Sequence, residues 1–313
     1  MKILVTGGSG YKGSVLIPKL LELNHKVVSL DTQWFGNYLP KHKNLKNIKF
    51  DIKDIEKFNL KNIDTIIHLA SIANDNMSEL DKNLSWETSS LATYKLLEKA
   101  IEAKVKRFIY ASSGSVYGIK KEKKVTEKLS LKPISLYNKV KMCTERIILS
   151  YKNQIETFII RPATVCGYSP RMRFDISVNA LTISGLLKNE IIVHGGSQVR
   201  PNIHIDDITD LYVYLLNVNK KYAGIYNAGF ENMSIKKVSE IISNKLKCKI
   251  QIKKNLSDPR SYRLDSSKLL KIGFKPQKKI SNAIEEIIQM YKKGILKDKP
   301  KHHSILWLKK ILK

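Results

Sequence analysis

Uninterrupted apolar segments alternate with helical patterns along the first half of this 313-residue chain. Runs of Val, Ile and Leu without polar alternation predict strands that are covered on both faces, which is typical of a parallel sheet. The predicted strands are 2–6, 26–31, 48–50, 64–70, 107–113 and 157–162, and the predicted helices between them include 13–23, 87–103 and 136–152. The pattern indicates a doubly wound α/β fold of the Rossmann type, which binds ligands at the carboxyl ends of its strands.

The strict alternation loosens at about residue 165, where a smaller part with mixed helices and strands begins. We expect residues 1–165 to form the Rossmann domain and residues 166–313 to form a mixed α/β part that binds the substrate. No segment rich in Pro or Gly separates the two. Because such a linker is the usual mark of independent domains, we expect these parts to interlock.

The chain carries 56 Lys and Arg against 28 Asp and Glu, a net charge of +28. Such an excess favours polyanionic partners in general. The lysines, however, occur in many short runs, such as 120–124 and 245–254, without interleaved aromatic residues that could stack on bases. We therefore expect a solvated lysine-rich surface and no nucleic-acid partner, whereas a small anionic substrate would benefit from the positive field.

The three cysteines, Cys143, Cys166 and Cys248, are too few and too scattered for a disulfide framework or a Cys-x-x-Cys zinc site. This usage fits a reducing cytoplasm, and no metal site is expected. No apolar stretch approaches the length of a membrane span, about 18 residues. The basic amphipathic tail 303–313 could lie on an anionic membrane, although packing on the body or on a partner subunit is the favoured interpretation.

Neither the histidines nor the adjacent acids Asp206 and Asp207 occur in a pattern that is typical of a catalytic site. His68 stands in a predicted strand and is expected to be a packed core residue rather than a ligand. His204 is likewise expected to be structural. The adjacent Asp206 and Asp207 are expected to support the N-terminus of the helix that follows them.

A glycine cluster separates the first predicted strand from the first predicted helix. Gly7, Gly10 and Gly13 occupy the positions that a phosphate-binding βα turn requires. Glycine there permits positive φ, close approach of a diphosphate to the main chain and tight helix–strand packing. Asp31 ends the second strand, where a carboxylate can accept hydrogen bonds from both ribose hydroxyls of an adenosine and would repel a 2′-phosphate. The combination predicts a site for NAD rather than NADP.

Two Tyr-x-x-x-Lys pairs occur, Tyr117/Lys121 and Tyr137/Lys141. Gly118 follows the first tyrosine at a predicted strand exit, so the side chains of that pair need not share a face. Tyr137 instead begins a run with helical spacing, which places Lys141 beside it one turn later. Because a neighbouring ammonium favours the phenolate, we expect the pKa of Tyr137 to be lowered and Tyr137 to act as a general base.

Ser113 ends the predicted strand 107–113 within the segment ASSGSVYG. Its hydroxyl could hold a substrate oxygen while Tyr137 takes the proton. In isolation, a serine-rich strand end is more typical of a turn. The case for a catalytic serine therefore depends on the segments around it.

Six features follow one another along the chain: TGGSGYKG (6–13), Asp31, HLA (68–70), ASSGSVYG (111–118), YNKVK (137–141) and RPATVCG (161–167). In this order and register they resemble the extended short-chain dehydrogenase/reductase family. Within it, the chain is similar to the NAD-dependent nucleotide-sugar epimerases and dehydratases typified by UDP-galactose 4-epimerase. The resemblance extends over nearly the whole chain, through RPNIHIDD (200–207), YNAG (226–229) and DPRSYRLDSSKL (258–269).

The resemblance implies a role for individual residues. It implies that Ser113, Tyr137 and Lys141 form the catalytic trio and that Tyr137 and Lys141 also contact the cofactor. The other residues that it places around NAD are Gly7, Gly10, Tyr11, Lys12, Gly13, Asp31, Asp51, Ile52, Leu69 and Ala70. Those that it places around a nucleotide-sugar are Ser113, Ser115, Asn179, Arg200 and Arg260.

Departures from the family pattern bear on the reaction. Ser89 stands where an asparagine near the cofactor is usual, and Cys166 stands where a tyrosine is frequent. The 4,6-dehydratases usually follow their catalytic hydroxyl with Asp-Glu, whereas Ser113 is followed by Gly114 and Ser115. The absence of a carboxylate at these two positions argues against a dehydratase of that type.

The reaction implied by the resemblance is C4 epimerisation of a nucleotide-sugar through a 4-keto intermediate, in cytoplasmic polysaccharide biosynthesis. A nucleotide-sugar 4-dehydrogenase or 4-ketoreductase, a dehydratase of the same family and a nucleotide-binding regulator stay open as alternatives. The segment SIANDN (71–76) replaces the commoner small-residue run and is expected to shape the sugar pocket. A homodimer formed through the helices at 87–103 and 136–152 is also implied.

Overall fold

The computed structural model of the protein describes residues 1–254 and 261–313. Strands β1 to β12, in chain order, are Lys2–Thr6, Lys26–Asp31, Leu45–Lys49, Thr65–His68, Arg107–Ala111, Glu156–Pro162, Thr164–Cys166, Glu190–His194, Val199–His204, Gly224–Ala228, Glu231–Ser234 and Lys249–Lys253. Helices α1 to α11 are Gly13–Glu22, Asp75–Ser78, Lys82–Trp86, Ala92–Glu102, Leu136–Ser150, Ser177–Lys188, Ile205–Tyr214, Ile235–Leu246, Ser267–Lys271, Ile280–Lys292 and Ser304–Ile311. There is also a π-helical turn at Glu87–Leu91, and there are 3₁₀ turns at Ile52–Lys57, Gly114–Tyr117, Lys220–Tyr222 and Pro300–His302.

The central sheet is parallel throughout and has the strand order β10-β6-β5-β4-β1-β2-β3. The chain runs outward from β1 through β2 to β3, then returns to the other side of β1 and continues through β4, β5 and β6. The order therefore reverses between β1 and β4. The crevice at their carboxyl ends is where doubly wound folds bind ligands, and the predicted fold class is confirmed.

The strands of the sheet are buried on both faces. Successive residues of β1 illustrate this, because Leu4 packs into the apolar cluster on one face and Val5 into the cluster on the other. Ile66 and Ile67 of β4 divide in the same way, and all four side chains are fully buried. Side chains alternate across a strand, so a sheet covered by helices on both sides requires apolar residues at consecutive positions. This is why the strand segments show no polar alternation.

The helix predicted at 87–103 begins differently from the expectation. Its first turn, Glu87–Leu91, is π-helical, and the regular helix α4 follows it. In this wider turn, the Ser89 hydroxyl accepts a hydrogen bond from the Ile72 amide (3.1 Å) and lies 3.0 Å from the Ser71 hydroxyl. Ser89 is thus bonded to the segment after β4, which it holds beside the sheet.

The second part of the chain completes the first. β10 lies beyond residue 165 yet pairs with β6 at one edge of the central sheet. The other strands of this part form two small sheets, β11-β9-β7 and β12-β8. Helices α6, α8 and α10 pack together around an apolar cluster that includes Val178, Ile242 and Ile284. One strand from the stretch 166–313 therefore belongs to the same sheet as the strands from 1–165.

A buried ion pair joins helix α5 to the sheet. The Arg161 guanidinium donates to both carboxylate oxygens of Glu145, with Nε–Oε1 at 2.9 Å and Nη2–Oε2 at 2.6 Å. The Ser112 hydroxyl donates to the same carboxylate, and Arg161 Nη1 lies 2.7 Å from the Tyr117 hydroxyl. One turn before Glu145, the Lys141 ammonium donates to the Ala111 carbonyl at 2.8 Å. These contacts fix the position of α5 along β5 and β6.

The C-terminal helix α11 lies on the body of the protein. Leu308 is fully buried, and the Trp307 indole N–H donates to the Trp34 carbonyl at 2.7 Å. Packing of the tail on the body, the favoured interpretation, is confirmed. Across residues 1–254 and 261–313, no helix combines the length and the apolar character that crossing a membrane requires.

We predict that Glu145→Gln lowers the free energy of unfolding by about 3–5 kcal/mol, because it leaves the Arg161 charge buried and unpaired. Urea unfolding of the two proteins measures the difference. Glu240→Gln is the control, because Glu240 pairs with Lys237 on the exposed surface of α8 at 3.6 Å and should change stability by less than about 0.5 kcal/mol. Equal effects of the two substitutions would contradict the structural role given to the buried pair.

Candidate active site

A cavity of about 470 Å³ opens at the carboxyl ends of the central strands. Its wall includes Gly7 after β1, Asp31 at the end of β2, Leu69 and Ala70 after β4, and Ser113 after β5. Each strand of a parallel sheet delivers the residues that follow it to the same edge. Segments far apart in the sequence are thereby brought to one site.

The glycine loop after β1 forms the floor of this cavity. Gly7 has φ +72°, and a Cβ atom there would lie 2.7 Å from the Ala70 amide nitrogen. At Gly13, a Cβ atom would lie 2.3 Å from the Gly8 carbonyl oxygen. Gly10, Tyr11 and Lys12 line the cavity between them. Only a loop without these side chains can turn this tightly and present the start of α1 to a diphosphate.

Asp31 is held with its carboxylate at the cavity wall. It accepts hydrogen bonds from the main-chain amides of Ser9 (3.0 Å) and Gln33 (2.6 Å), while burial raises the pKa of its carboxyl. Each carboxylate oxygen retains a lone pair for a further donor, such as a ribose hydroxyl. Asp51 and Ile52 line the cavity nearby, with Asp51 accepting from the Lys53 amide at 3.0 Å.

Five cationic residues line the cavity: Lys12, Lys141, Arg171, Arg173 and Arg200. Burial, with repulsion from Arg173, lowers the pKa of Lys12 to about 8. Burial, with repulsion from Lys12, lowers the pKa of Lys141 to about 7. Mutually repelling buried cations indicate a site built for an anion. Together with the glycine loop and Asp31, they fit a dinucleotide such as NAD.

Ser113, Tyr137 and Lys141 meet in the same cavity. Ser113 lies at the start of the 3₁₀ turn after β5, with its hydroxyl 2.7 Å from that of Ser115. Tyr137 is in the first turn of α5, where Ser135 caps the helix by accepting from the Asn138 amide. The Lys141 ammonium lies 5.9 Å from the centroid of the Tyr137 ring, so the predicted placement of the pair on one helical face is confirmed.

The expectation that Lys141 lowers the pKa of Tyr137 is wrong when only the protein's own residues surround the phenol. Burial raises the pKa of Tyr137 to about 12, and a side-chain hydrogen bond with Ser113 opposes this only in part. Burial likewise shifts Lys141 toward its neutral form. A neutral amine exerts no charge on the phenol, so the cost of burying a phenolate dominates.

Neither residue of the other Tyr-x-x-x-Lys pair, Tyr117 and Lys121, lines the cavity. Tyr117 is fully buried at the end of a 3₁₀ turn, where its hydroxyl donates to the Asn227 amide oxygen at 2.8 Å. Gly118 ends this turn with φ +69°, and Lys121 lies beyond it on the exposed surface. The expectation that this pair need not share a face is confirmed.

The four remaining residues expected around the substrate differ in whether they line the cavity. Ser115 and Arg200 line the cavity. Asn179 is fully buried in α6, where its amide donates to the Tyr11 hydroxyl and to the Arg173 carbonyl, both at 3.1 Å, and accepts from the Gly167 amide. It is not among the lining residues, so a contact with substrate stays a prediction. Arg260 lies outside the described residues.

One side of the cavity is formed by a polar network that sequence reasoning did not identify. Asp175 is paired with Arg173, whose Nε lies 3.0 Å from its carboxylate, and it accepts from the Asn74 side-chain amide at 2.6 Å. Asp75 also lines the cavity, and the Ser135 hydroxyl donates to it. Asn74 and Asp75 lie in the SIANDN segment, whose departure from the family pattern was the available signal. Arg173 and Asp175 had no such signal.

The two histidines have structural roles. His68 is fully buried between the hydroxyls of Thr6 (2.6 Å) and Thr93 (2.8 Å), and burial lowers its pKa to about 3. His204 caps α7 by accepting from the Asp206 amide at 3.0 Å. Both expectations are confirmed.

His204, Asp206 and Glu286 lie close enough together to resemble a metal site. The Lys278 ammonium, however, lies 2.7 Å from the Asp206 carboxylate and 2.6 Å from that of Glu286. The Lys19 ammonium also lies 3.0 Å from the Asp206 carboxylate, so two cations offset the two acids. The cluster therefore ties α7 to α10 and needs no metal ion to be stable.

The comparisons with known proteins agree with this geometry. The model of the NAD-dependent epimerase/dehydratase family matches residues 3–229. The chain belongs to that family, and the predicted family, enzyme class and NAD dependence are confirmed.

The chain is similar to several individual members. It is 28% identical to a putative UDP-glucose 4-epimerase of Methanocaldococcus jannaschii, over 93% of this chain and 98% of that protein. It is 32% identical to an uncharacterized UDP-glucose epimerase of Bacillus subtilis, over 78% of this chain and 82% of that protein. Among solved structures, it superposes with a TM-score of 0.79 on a UDP-glucuronic acid 4-epimerase from Bacillus cereus in complex with UDP-glucuronic acid and NAD. That pair is 28% identical, and the match covers 93% of this chain and 100% of the other.

We predict that Gly7→Ala abolishes measurable NAD binding and destabilises the protein, since the new methyl group would collide with the main chain at Ala70. Gly294→Ala is the matched control. Gly294 has nearly the same φ, +70°, but nothing lies within 4 Å of its Cβ position, so it should lose only about 1–2 kcal/mol of stability and keep NAD binding. Calorimetric NAD titration and urea unfolding separate the two effects. If both variants bound NAD equally, close packing at Gly7 would not be what the site requires.

Proposed function

We propose that the protein is an NAD-dependent nucleotide-sugar epimerase that inverts C4 of its sugar through a 4-keto intermediate. The observation that carries the proposal is the meeting of Ser113, Tyr137 and Lys141 in one cavity with the glycine loop and Asp31. The relatives named as a putative UDP-glucose 4-epimerase and as an uncharacterized UDP-glucose epimerase support it, since they are similar over most of their length.

In this proposal each of the three residues has one role. The Tyr137 hydroxyl removes the proton of the C4 hydroxyl and later returns it. The Ser113 hydroxyl donates a hydrogen bond to the same sugar oxygen, which keeps that oxygen beside Tyr137. Lys141 sets the charge around Tyr137 and contacts the nicotinamide ribose. Bound NAD supplies the hydride acceptor and donor.

The pKa values make Tyr137 dependent on the ligands. Lys141 regains its proton when anionic diphosphates enter the cavity, because negative charge nearby raises the pKa of an amine. Its ammonium then favours the phenolate form of Tyr137, whose pKa of about 12 falls. We infer that the base becomes effective only in the loaded site.

The region after Ser113 supports an epimerase over a 4,6-dehydratase. Gly114 and Ser115 supply no carboxylate, and a Cβ atom at Gly114 would lie 2.8 Å from the Leu264 side chain. An acidic side chain at this position would require the Leu264 side chain to move. Beyond this, we propose that Ser115, Asn179, Arg200 and Arg260 contribute to nucleotide-sugar binding, with the two arginines near the substrate's phosphates.

We predict that the purified protein, incubated with UDP-, GDP-, CDP- and dTDP-hexoses, converts one of them to its C4 epimer without net consumption of NAD. Mass spectrometry would detect no mass change, and NMR would report the inverted configuration. Stoichiometric formation of NADH would instead indicate a 4-dehydrogenase. Loss of water from the sugar would indicate a dehydratase. Either result would replace the epimerase proposal.

We predict that Tyr137→Phe lowers turnover by roughly 10²- to 10⁴-fold, because the proton acceptor is lost. Tyr117→Phe is the matched control from the other Tyr-x-x-x-Lys pair. It removes hydrogen bonds to Asn227 and Arg161, so it should cost about 1–3 kcal/mol of stability and leave turnover close to normal. Near-normal turnover of Tyr137→Phe on the true substrate would overturn the assignment of the base.

We further propose that the protein is a cytoplasmic homodimer. The end of α3, the π turn and α4 expose one large side chain each, Trp86, Leu91 and Tyr94, of which Leu91 is 49% exposed and Tyr94 is 41% exposed. Leu91 and Tyr94 are three residues apart and share a face. α5 packs beside α4, so the two helices offer one surface for a second copy.

We predict that Leu91→Glu combined with Tyr94→Glu yields a monomer, because charged side chains would be buried at the interface. Light scattering after size-exclusion chromatography measures the mass. Ile295→Glu, at a position 56% exposed beyond the end of α10, should leave the dimer intact. A dimer in all three proteins would place the interface elsewhere.

A further inference from the structure

Arg171 is a buried cation in the wall of the cavity. The residue is only 4% exposed, and its guanidinium stacks on the Phe35 ring at 4.0 Å from the centroid. Nη1 donates to the Met172 carbonyl at 3.1 Å and Nη2 donates to the Ser304 hydroxyl at 3.0 Å. Nε is buried without a hydrogen-bond partner among the described residues.

The charge of Arg171 is not balanced by an ion pair. Within residues 1–254 and 261–313, no carboxylate oxygen lies within 4.0 Å of its guanidinium. Asp175, which faces it, is paired with Arg173. Asp31 lies farther off and is held by two main-chain amides. Burial, with repulsion from Arg173, lowers the pKa of Arg171 to about 9.

The other buried arginines show what a structural guanidinium looks like in this protein. Arg107 pairs with Glu156 at 2.7 Å and donates to the carbonyls of Leu215 and Val218. Arg161 pairs with Glu145. A buried charge without a partner is expensive. Arg171 is therefore poised for an anion that enters the cavity.

We propose that Arg171 is a ligand for the diphosphate of the bound dinucleotide and that helix α11 holds it in place through Ser304. Arg171 stacks on Phe35 in the loop after β2, and Asp31 and Phe35 line the same cavity. Because that loop follows Asp31, the residue expected at the adenosine ribose, we assign Arg171 to the diphosphate of the dinucleotide rather than to that of the sugar. The inference rests on the NAD dependence of the family and needs no particular sugar reaction.

The placement gives the C-terminal helix a role in the cofactor site. Ser304, the first residue of α11, is fully buried. The Trp307 indole of the same helix is bonded to Trp34, beside the Phe35 ring on which Arg171 stacks. α11 and the loop after β2 therefore clamp the guanidinium between them.

The test compares Arg171→Met with Arg107→Met in nucleotide-free protein. We expect Arg171→Met to melt at the same or a higher temperature than the unaltered protein, because an uncompensated buried charge is removed. NAD affinity should fall roughly 10- to 100-fold, as expected for the loss of charge-assisted hydrogen bonds, and the rise in melting temperature on adding NAD should shrink accordingly. Arg107→Met should melt lower and keep the full NAD-induced rise.

The alternatives have distinct outcomes. A lower melting temperature for nucleotide-free Arg171→Met with unchanged NAD affinity would make Arg171 a structural residue and overturn the proposal. Weaker binding of UDP with unchanged binding of NAD would assign Arg171 to the substrate's diphosphate, which also overturns it. Because these readouts require no turnover, they stay valid if the C4 epimerase proposal fails.

Ser304→Ala tests the part played by α11. The substitution leaves Arg171, the proposed diphosphate ligand, in place, but it removes the hydroxyl that accepts a hydrogen bond from Nη2 of Arg171. We expect a smaller loss of NAD affinity than in Arg171→Met, and no further loss when the two substitutions are combined. Additive losses in the double variant would show that Ser304 acts independently of Arg171.

Discussion

The buried pair of Glu145 and Arg161 is the contact on which the site depends. It ties α5 to the central sheet in a region where water is excluded, so the helix has one position along β5 and β6. Lys141 precedes Glu145 by one turn and Tyr137 precedes it by two, so all three lie on the face that meets the sheet. The same carboxylate accepts from Ser112, the neighbour of Ser113. The Glu145–Arg161 ion pair thus fixes the relative positions of Ser113, Tyr137 and Lys141, the three residues of the proposed chemistry.

Much of the fold could be predicted from the sequence because it depends on local patterns. Strands covered on both faces must be apolar at successive positions, as at Leu4 and Val5. Gly7 and Gly13 were identifiable because their roles require the absence of a side chain. Tyr137 and Lys141 were identifiable because helical spacing alone brings them together, and the same reasoning set aside the pair at Tyr117.

The features that could not be predicted arise from contacts between distant segments. The Asn74 amide meets Asp175 across 101 positions, and the Arg171 guanidinium meets Ser304 across 133. No local pattern encodes such pairings. The pKa of Tyr137 was predicted in the wrong direction for the same reason. Its helical neighbour was visible in the sequence, whereas the surrounding elements that bury it were not.

The buried cations connect binding to chemistry. Lys12, Lys141 and Arg171 all have pKa values lowered mainly by burial. The charged form of each side chain is therefore poorly stabilised by the protein and would be stabilised by a bound anion. In the proposed function, a dinucleotide and a nucleotide-sugar each bring a diphosphate, whose negative charge would raise the pKa of Lys141 from about 7. Lys141 is the member of this set beside Tyr137. In the proposed mechanism, ligand charge would therefore reach the phenol through this one amine, and the base would become active where the substrate is already held.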